Sequence, residues 1–182
     1  MTKTKLKIIT GNLKNYLIDS PGNGVTHPMS ERIRGAIFNV LGDISNLSIL
    51  DAYAGSGTLG IESISRGAKK ATLLENDSTA IKTIKQTIDN LKLDKRVQLF
   101  PVDNLKWLKL NNETFDIIFL DPPYTQVNIS SLLTLANIVT EGGVIVVSVP
   151  TLSVNQVIEN FKDFTLIKKK SYGRAQVLFF KK

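Results

Sequence analysis

The sequence has no cysteine and only one histidine, His27, among its 182 residues. Without cysteine the chain can form no disulfide, cysteine nucleophile or thiolate zinc site, and this composition suits the cytoplasm. A single histidine excludes a multi-histidine metal site, and a Ser-His-Asp triad would have to run through it. We therefore expect no bound metal.

Long hydrophobic runs are also missing. The longest lies near residues 144–149, well short of the roughly 18 residues that a membrane-spanning helix needs. A basic segment, residues 1–7, opens the chain, but no apolar stretch follows it, so a secretory signal is not expected. The length gives room for one domain with a substantial core. We expect a cytoplasmic monomer that does not contact a membrane.

Charge is unevenly distributed. The net charge is +7, which favours polyanionic partners such as nucleic acid. Basic residues are concentrated at both ends of the chain: Lys3, Lys5, Lys7, Lys14, Arg32 and Arg34, and then Lys168, Lys169, Lys170, Arg174, Lys181 and Lys182. The two clusters would form one basic face if the ends meet. Otherwise they are an ordinary solvated surface, and the sequence leaves both interpretations open.

Apolar periodicity predicts an N-terminal hairpin turning at Gly11-Asn12, a loop over residues 19–28, and a helix between an N-cap at Ser30 and an end at Gly42. Strands and helices then alternate. The predicted strands span 48–51, 71–75, 97–100, 115–120, 144–149, 166–171 and 175–180, and the predicted helices span 58–66, 78–91, 104–110, 129–139 and 154–161.

This alternation predicts a Rossmann-like α/β fold. We expect a seven-stranded, mostly parallel sheet with a C-terminal antiparallel hairpin, preceded by the short N-terminal hairpin and helix. Residues 1–28 form an arm and loop, and residues 29–182 form the main body of a single domain. Ligands of such sheets bind at the carboxyl ends of the strands, so the residues that follow each strand are the candidates for a site.

A glycine-rich loop, DAYAGSGTLG, follows the first sheet strand and leads into a helix. Gly55 and Gly57 allow a tight turn and a close approach of the backbone to a ligand. With Gly60 they fit the GxGxxG dinucleotide pattern, and Glu75 ends the next strand, where its carboxylate can accept hydrogen bonds from a ribose. By itself, this loop does not distinguish NAD from S-adenosylmethionine.

Asp51 favours S-adenosylmethionine. It lies four residues before Gly55, where an anion would repel a pyrophosphate but would suit the cationic amino group of a methionine moiety. Asp103 follows the third sheet strand, where it can accept from an adenine amino group or cap the next helix, and the two roles are compatible. We predict that Trp107 in that helix packs in the core.

A second motif, Asp121-Pro122-Pro123-Tyr124, follows the buried strand FDIIFL. The two prolines stiffen the backbone and remove N–H donors, which leaves the Asp121 carboxylate and the Pro122 carbonyl as acceptors. Such a cluster suits an exocyclic NH2 group, and Tyr124 can stack on the base that carries it. Alone, the motif could equally be a rigid exit from a strand, but together with the glycine loop it favours methyl transfer to a base amine.

Nearly the full length of the chain resembles the RsmD-type 16S rRNA guanine-N2 methyltransferases. The resemblance is carried by KIITGNLKNYLI, HPMSERIRGAIFNVLGD, LDAYAGSGTLGIESISRGAKKATLLEND, FDIIFLDPPY and SYGRAQVLFF. It implies a class I methyltransferase fold with S-adenosylmethionine as donor. It also implies a substrate in the small ribosomal subunit (30S) or its assembly intermediate, bound through 16S rRNA and neighbouring ribosomal proteins, with residues 1–28 contacting RNA.

The resemblance also implies donor contacts from Asp51, Gly55, Gly57, Glu75 and Asp103, and target contacts from Asp121, Pro122 and Tyr124. To these we add the adjoining Ala54, Asn76 and Asn104 on the donor side and Pro123 on the target side. Two departures from the family pattern concern RNA recognition. The chain has His27-Pro28-Met29 where the family usually has Arg-Pro-Thr, and it lacks the usual Arg-Gly pair near Lys14-Asn15.

Three other functions would use parts of the same sequence pattern. A DNA adenine-N6 methyltransferase shares the DPPY type of motif, but this chain has no separate domain for reading duplex sequence. An NAD-dependent oxidoreductase would leave DPPY and the basic ends unexplained. A non-catalytic rRNA-binding assembly factor would not need an intact donor loop. For the methyltransferase we expect direct in-line transfer, with Asp121 either accepting the departing proton or only orienting the amine.

Overall fold

The computed structural model describes residues 4–22 and 29–182. Lys3 and His27-Pro28, which figure in the sequence predictions, lie outside these residues. In chain order the elements are β1 (Lys5–Lys7), β2 (Leu17–Asp19), α1 (Glu31–Leu41), β3 (Ser48–Asp51), α2 (Thr58–Ser65), β4 (Lys70–Glu75), α3 (Ser78–Leu91), β5 (Val97–Pro101), α4 (Asn104–Leu110), β6 (Phe115–Leu120), α5 (Ile129–Ala136), β7 (Val139–Pro150), α6 (Val154–Asn160), β8 (Thr165–Tyr172) and β9 (Ala175–Lys181).

The main sheet has seven strands in the order β5-β4-β3-β6-β7-β9-β8. The first five are parallel to one another, and β9 pairs antiparallel with both β7 and β8. The predicted fold, including its C-terminal antiparallel hairpin, is confirmed. Strand order reverses between β3 and β6, which makes the carboxyl ends of these two strands the expected position for a ligand.

Each face of the sheet is covered by helices. Leu50 and Ile118 point to the face covered by α4, α5 and α6, whereas Ile49 and Phe119 point to the face covered by α1, α2, α3 and the β1–β2 hairpin. Trp107 is buried in the first of these two cores, as predicted. Alternate side chains of one strand thus pack into the two cores on opposite faces of the sheet. This explains the continuous apolar runs in the sequence.

Local signals predicted most element boundaries. Ser30 Oγ accepts a hydrogen bond from the Ile33 amide as the N-cap of α1, and Gly42 ends that helix with a positive φ of 71°. The helix predicted over 129–139 is too long, because α5 ends at Ala136 and Val139 begins β7 by pairing with Phe115. The strand predicted over 144–149 is too short for the same reason. The pairing of β7 with β6 is interrupted before Val144, and Gly142, with φ 76°, lies in that interruption.

The N-terminal hairpin is confirmed, and it is docked on α2. Gly11 packs so tightly that a Cβ atom there would lie 1.8 Å from the Ser65 carbonyl oxygen, and its φ is +91°. The Asn12 amide donates to that carbonyl at 2.9 Å, and the Leu13 amide donates to Ser65 Oγ at 2.9 Å. Only glycine fits this contact, so the position of the arm depends on it.

Glu62 of α2 is fully buried and joins three segments. Its carboxylate accepts from the amides of Ile9 at 2.8 Å and Thr10 at 3.1 Å. It also pairs with Arg66 Nε at 2.9 Å and lies 3.5 Å from Nε of the buried Arg34 in α1. A buried ion pair contributes little net stability when intact, but removing one partner leaves a charge without compensation.

Replacing Glu62 with alanine is expected to lower the free energy of unfolding by about 3–5 kcal/mol, because Arg34 would remain buried without its partner. Urea unfolding monitored by circular dichroism measures this loss. The matched control is Glu113→Ala. Glu113 pairs with Lys70 at 2.6 Å, but the two side chains are 39% and 37% exposed, so its removal is expected to cost at most about 1 kcal/mol. Equal losses in both variants would contradict the role given to Glu62.

Candidate active site

Four candidate carboxylates lie along one edge of the sheet because the parallel strands end together there. Asp51 at the end of β3 is level with Leu73 of β4 and with Phe119 of β6. Glu75 therefore lies on one side of Asp51 and Asp121 on the other, with Asp103 after β5 beyond Glu75. The sequence predicted this edge as the site, and the structure brings all four residues to it.

The glycine loop is held in a tight turn by its own backbone. The Gly57 amide donates to the Ala54 carbonyl at 2.6 Å, and the Ala54 amide donates to the Leu74 carbonyl at 3.0 Å. Gly57 has φ 74° and caps α2, where a Cβ atom would lie 3.2 Å from Ile84 and Leu73 side chains. Gly55 also has a positive φ, 55°, but a Cβ atom there would come no closer than 4.0 Å to another atom, the Tyr53 carbonyl oxygen. The backbone at Gly55 is therefore accessible to a ligand.

Asp51 is 1% exposed, and only one of its two carboxylate oxygens is well bonded. Oδ2 accepts from the Gly60 amide at 3.1 Å. Within the described part of the chain, Oδ1 has no hydrogen-bond partner at normal geometry. The nearby Tyr53 amide still stabilises the Asp51 anion and so lowers its pKa. Burial, together with the neighbouring carboxylates of Asp121 and Glu75, raises the pKa of Asp51 to about 7, although the two amides oppose this rise. A cationic ligand would relieve this repulsion.

Glu75 braces the glycine loop. Its Oε2 accepts from the Gly55 amide at 2.7 Å, and its Oε1 accepts from the amides of Asn76 and Asp77 at 2.8 Å each. A carboxylate offers about four acceptor positions, so one remains on Oε2 for a ligand hydroxyl. The ribose contact predicted for Glu75 is compatible with this geometry, and the bracing role was not anticipated from the sequence.

Asp103 is the N-cap of α4, one of the two roles predicted for it. Its Oδ1 accepts from the amides of Leu105 and Lys106, both at 3.1 Å, which leaves Oδ2 for an adenine amino group. Asn104 follows as the first residue of α4.

Sequence reasoning missed Tyr53. Burial of its hydroxyl, and to a lesser extent the Asp103 carboxylate, raise the pKa of Tyr53 to about 12. Tyr53 thus belongs to the same end of the site as Asp103.

The DPPY segment lies across the strand-order reversal from Asp51. Pro122 is buried, and Pro123 precedes a short 3-10 turn that begins at Tyr124. Tyr124 is 41% exposed, so its ring is available to a ligand. Burial of the carboxyl raises the pKa of Asp121 to about 6, although the Ser148 hydroxyl opposes this by stabilising the anion. Tyr124 Oη lies 3.2 Å from Ser148 Oγ.

Ser148 was also missed. Its one sequence signal is weak: it is the single polar residue within the apolar run 144–149.

In the residues that the structure describes, no group of three or more His, Cys, Asp and Glu side chains could hold a metal ion. Nor does any helix in the described ranges have the length and apolarity to cross a membrane.

S-adenosylmethionine fits this edge of the sheet. Its ammonium and sulfonium charges match an acidic surface that contains the buried and incompletely bonded oxygen of Asp51, and its ribose and adenine match the free acceptors of Glu75 and Asp103. The open backbone at Gly55 provides room for close approach. With this strand order, the chain has the Rossmann-like fold of solved methyltransferases. The residues at this edge fit S-adenosylmethionine as the cofactor.

The chain belongs to the family described as "Conserved hypothetical protein 95", whose model matches residues 6–181. It is 32% identical over 190 residues to "Putative rRNA methyltransferase YlbH" of Bacillus subtilis, covering 97% of this chain and 99% of that protein. It is 42% identical over 125 residues to "Ribosomal RNA small subunit methyltransferase D" of Buchnera aphidicola, a match covering 68% of this chain and 65% of that protein.

A solved structure, "Putative methyltransferase yhhF from Escherichia coli", has the same fold. It superimposes with a TM-score of 0.82 over 97% of both chains at 24% sequence identity. Together the relatives confirm the resemblance to RsmD-type methyltransferases that the sequence motifs indicated.

Replacing Asp51 with asparagine is expected to weaken S-adenosylmethionine binding roughly tenfold or more, because a buried charge-assisted contact is lost. The same change should stabilise the ligand-free protein. A folded-state pKa of about 7 lies above the ordinary value of 3.8, so ionisation destabilises the fold progressively between these two pH values. Asparagine removes that cost, which we expect to appear as a gain of roughly 1–3 kcal/mol at pH 8.

Isothermal titration calorimetry measures the binding, and urea unfolding at pH 4 and pH 8 measures the stability. The gain should be small at pH 4, because the folded-state carboxyl is protonated there and this pH is close to the ordinary pKa of 3.8, where the ionisation cost only begins. A variant that is less stable than wild type at pH 8 would contradict the electrostatic description of Asp51.

Proposed function

We propose that this protein transfers a methyl group from S-adenosylmethionine to the N2 exocyclic amine of a guanine in 16S rRNA, as a step of small-subunit maturation. The observation that carries the proposal is the position of the Asp121–Tyr124 segment. It lies beside Asp51 across the strand-order reversal, so a donor bound on one side and a base on the other would meet.

The donor residues divide by strand. Asp51, Ala54, Gly55 and Gly57 follow β3 and would hold the methionine portion. Glu75 and Asn76 follow β4 and would hold the ribose, and Asp103 and Asn104 follow β5 and would hold the adenine. When bound, S-adenosylmethionine supplies a methyl group on a good leaving group. The protein therefore needs neither a nucleophile nor a metal, and its contribution is positioning and electrostatic alignment.

On the target side, the lone pair of an exocyclic amine is delocalised into the base. Asp121 and the Pro122 carbonyl can each accept one of its N–H bonds, which turns the lone pair out of the ring plane. Because the pKa of Asp121 is about 6, the carboxylate is largely ionised at neutral pH and can accept a hydrogen bond or the departing proton. The half-exposed ring of Tyr124 can stack on the base, a contact worth about 1–3 kcal/mol.

The class of substrate is inferred from the relatives and from charge. The Buchnera and Bacillus relatives are described as rRNA methyltransferases. On the edge strand β8, Lys168 and Lys170 are opposite Phe179 and Val177 of β9, which puts them on the sheet face that the N-terminal hairpin also covers. We propose that these two lysines bind the RNA backbone. Arg34 of the N-terminal basic cluster is fully buried next to Glu62 and is not part of such a surface. We propose that residues 1–28 and neighbouring ribosomal proteins complete this contact.

The test is transfer of radiolabelled methyl from S-adenosylmethionine, offered in parallel to undermethylated 30S subunits, protein-free 16S rRNA and duplex DNA, followed by digestion to nucleosides. We expect label in N2-methylguanosine, mainly from the subunits. Label in N6-methyladenine from DNA would replace the proposed substrate with the DNA alternative. Donor binding without transfer to any of the three would favour a non-catalytic assembly factor.

Replacing Asp121 with alanine is expected to lower the single-turnover rate about 10²-fold or more, because both amine orientation and proton acceptance are lost. Asp121→Asn separates the two roles: partial activity indicates orientation, whereas near-complete loss indicates a base. The wild-type rate should fall as pH drops through about 6, where the Asp121 carboxylate becomes protonated.

The matched control is Asp163→Ala. Asp163 is an exposed carboxylate before β8, at the opposite edge of the sheet, and its removal should leave the rate unchanged. Wild-type turnover by Asp121→Ala would remove Asp121 from the mechanism.

A further inference from the structure

Ser148 occupies an unusual position for a hydroxyl. It lies in β7 within an apolar run and is 3% exposed. Its neighbour Val147 pairs with Leu120, the last residue of β6, so Ser148 is level with Asp121 on the adjacent strand. The parallel register therefore fixes the serine at the floor of the proposed target site, although neither sequence motif contains it.

The Ser148 hydroxyl contacts one group of the DPPY motif and lies beside another. Tyr124 Oη lies 3.2 Å from Ser148 Oγ. The strand register puts Ser148 next to Asp121, whose pKa it lowers by stabilising the anion. A carboxylate can only accept hydrogen bonds, and a serine hydroxyl has one proton to donate. When Ser148 donates to the ionised Asp121 carboxylate, Tyr124 is left to donate to Ser148. In that arrangement the three groups form a directed chain from the tyrosine through the serine to the carboxylate.

We propose that Ser148 is a positioning residue for methyl transfer, whose buried hydroxyl fixes the Asp121 carboxylate and tethers the exposed Tyr124 ring at the target amine. The proposal rests on the function proposed above and adds to it a third group from a different strand. Ser148 touches neither reacting atom in this role. It acts through Asp121, whose carboxylate it orients and keeps ionised. It also acts through Tyr124, whose ring it positions by contacting the phenol hydroxyl.

Other charged groups around Asp121 must be considered in any pH test. Among the described residues, Asp51 at the end of β3 and Tyr124 in the turn after Asp121 are the titratable groups that interact with it. The Ser148 hydroxyl is the polar contribution from β7. Asp51 is not substituted in any of the variants below, and its own titration changes only through its interaction with Asp121. Differences between the variants therefore report the Ser148 contact.

The experiment compares Ser148→Ala, Ser148→Thr and Tyr124→Phe, with Thr72→Val as the matched control. Thr72 is also a fully buried hydroxyl in a central strand, and its Oγ1 has no hydrogen-bond partner within the described residues. Two quantities are measured for each folded protein. One is the titration of Asp121 by carboxylate NMR, which needs no substrate. The other is the pH profile of single-turnover methyl transfer to 30S subunits.

Ser148→Ala is expected to raise the Asp121 pKa and move the acid limb of the rate profile to higher pH by the same amount, with about a tenfold lower rate at pH 7. Ser148→Thr retains the hydroxyl and should restore both. Tyr124→Phe should lower the rate but leave the Asp121 titration in place, because Ser148 still donates to the carboxylate. Thr72→Val should change neither quantity.

An Asp121 titration that is identical in wild type and Ser148→Ala would overturn the proposal, whatever the substrate proves to be. So would an equal shift of that titration in Tyr124→Phe, because the chain would then run in another direction. If Asp121 titrates as expected but no nucleic acid is methylated, the Ser148 contact stands and the proposed function fails.

Discussion

The parallel pairing of β3 with β4 on one side and β6 on the other determines the geometry of the whole candidate site. Because Asp51, Leu73 and Phe119 are level across these strands, the residues that follow each strand emerge at one edge. The strand order reverses between β3 and β6, and the helices that follow them cover opposite faces. In open α/β sheets, ligands bind outside the strand ends at such a reversal, which here lies between the donor loop and the DPPY segment.

This arrangement brings carboxylates together at a partly buried edge of the sheet, where little water can solvate their negative charge. Burial and the carboxylates on both sides raise the pKa of Asp51 to about 7. In the ligand-free protein the site is therefore electrostatically unfavourable, and a cationic ligand would remove part of that cost. The same neighbourhood acts on Asp121, where the Ser148 hydroxyl partly counteracts burial. A site for a cationic donor and a neutral amine can thus be built from carboxylates and hydroxyls, without metal, thiol or imidazole.

The N-terminal arm belongs to the same structural unit as the donor loop. Glu62 and Ser65 of α2 bind the backbone of residues 9–13, and α2 begins at the glycine loop. Hydrogen bonds hold α2 near its start, through the Asp51–Gly60 contact, and near its end, through the arm. Under the proposed function, the segment that contacts RNA and the loop that contacts the donor are attached to one helix.

The sequence by itself determined the features that depend on local chemistry. Apolar periodicity and caps such as Ser30 and Gly42 located most helices and strands. Glycines, prolines and acids after buried strands predicted a candidate site, and the structure brings these residues to one edge of the sheet. The sequence-based prediction failed where the deciding partner is distant in the chain. The beginning of β7 at Val139 depends on pairing with Phe115, and Ser148 gains its contacts only because β7 lies beside β6 in one register.

The bracing of the loop by Glu75 and the docking of the arm on Glu62 are likewise contacts between segments about 20 and 50 residues apart. Only the tertiary structure decided which polar groups are buried together, because burial and hydrogen bonding are properties of the packed neighbourhood and not of a residue's place in the chain.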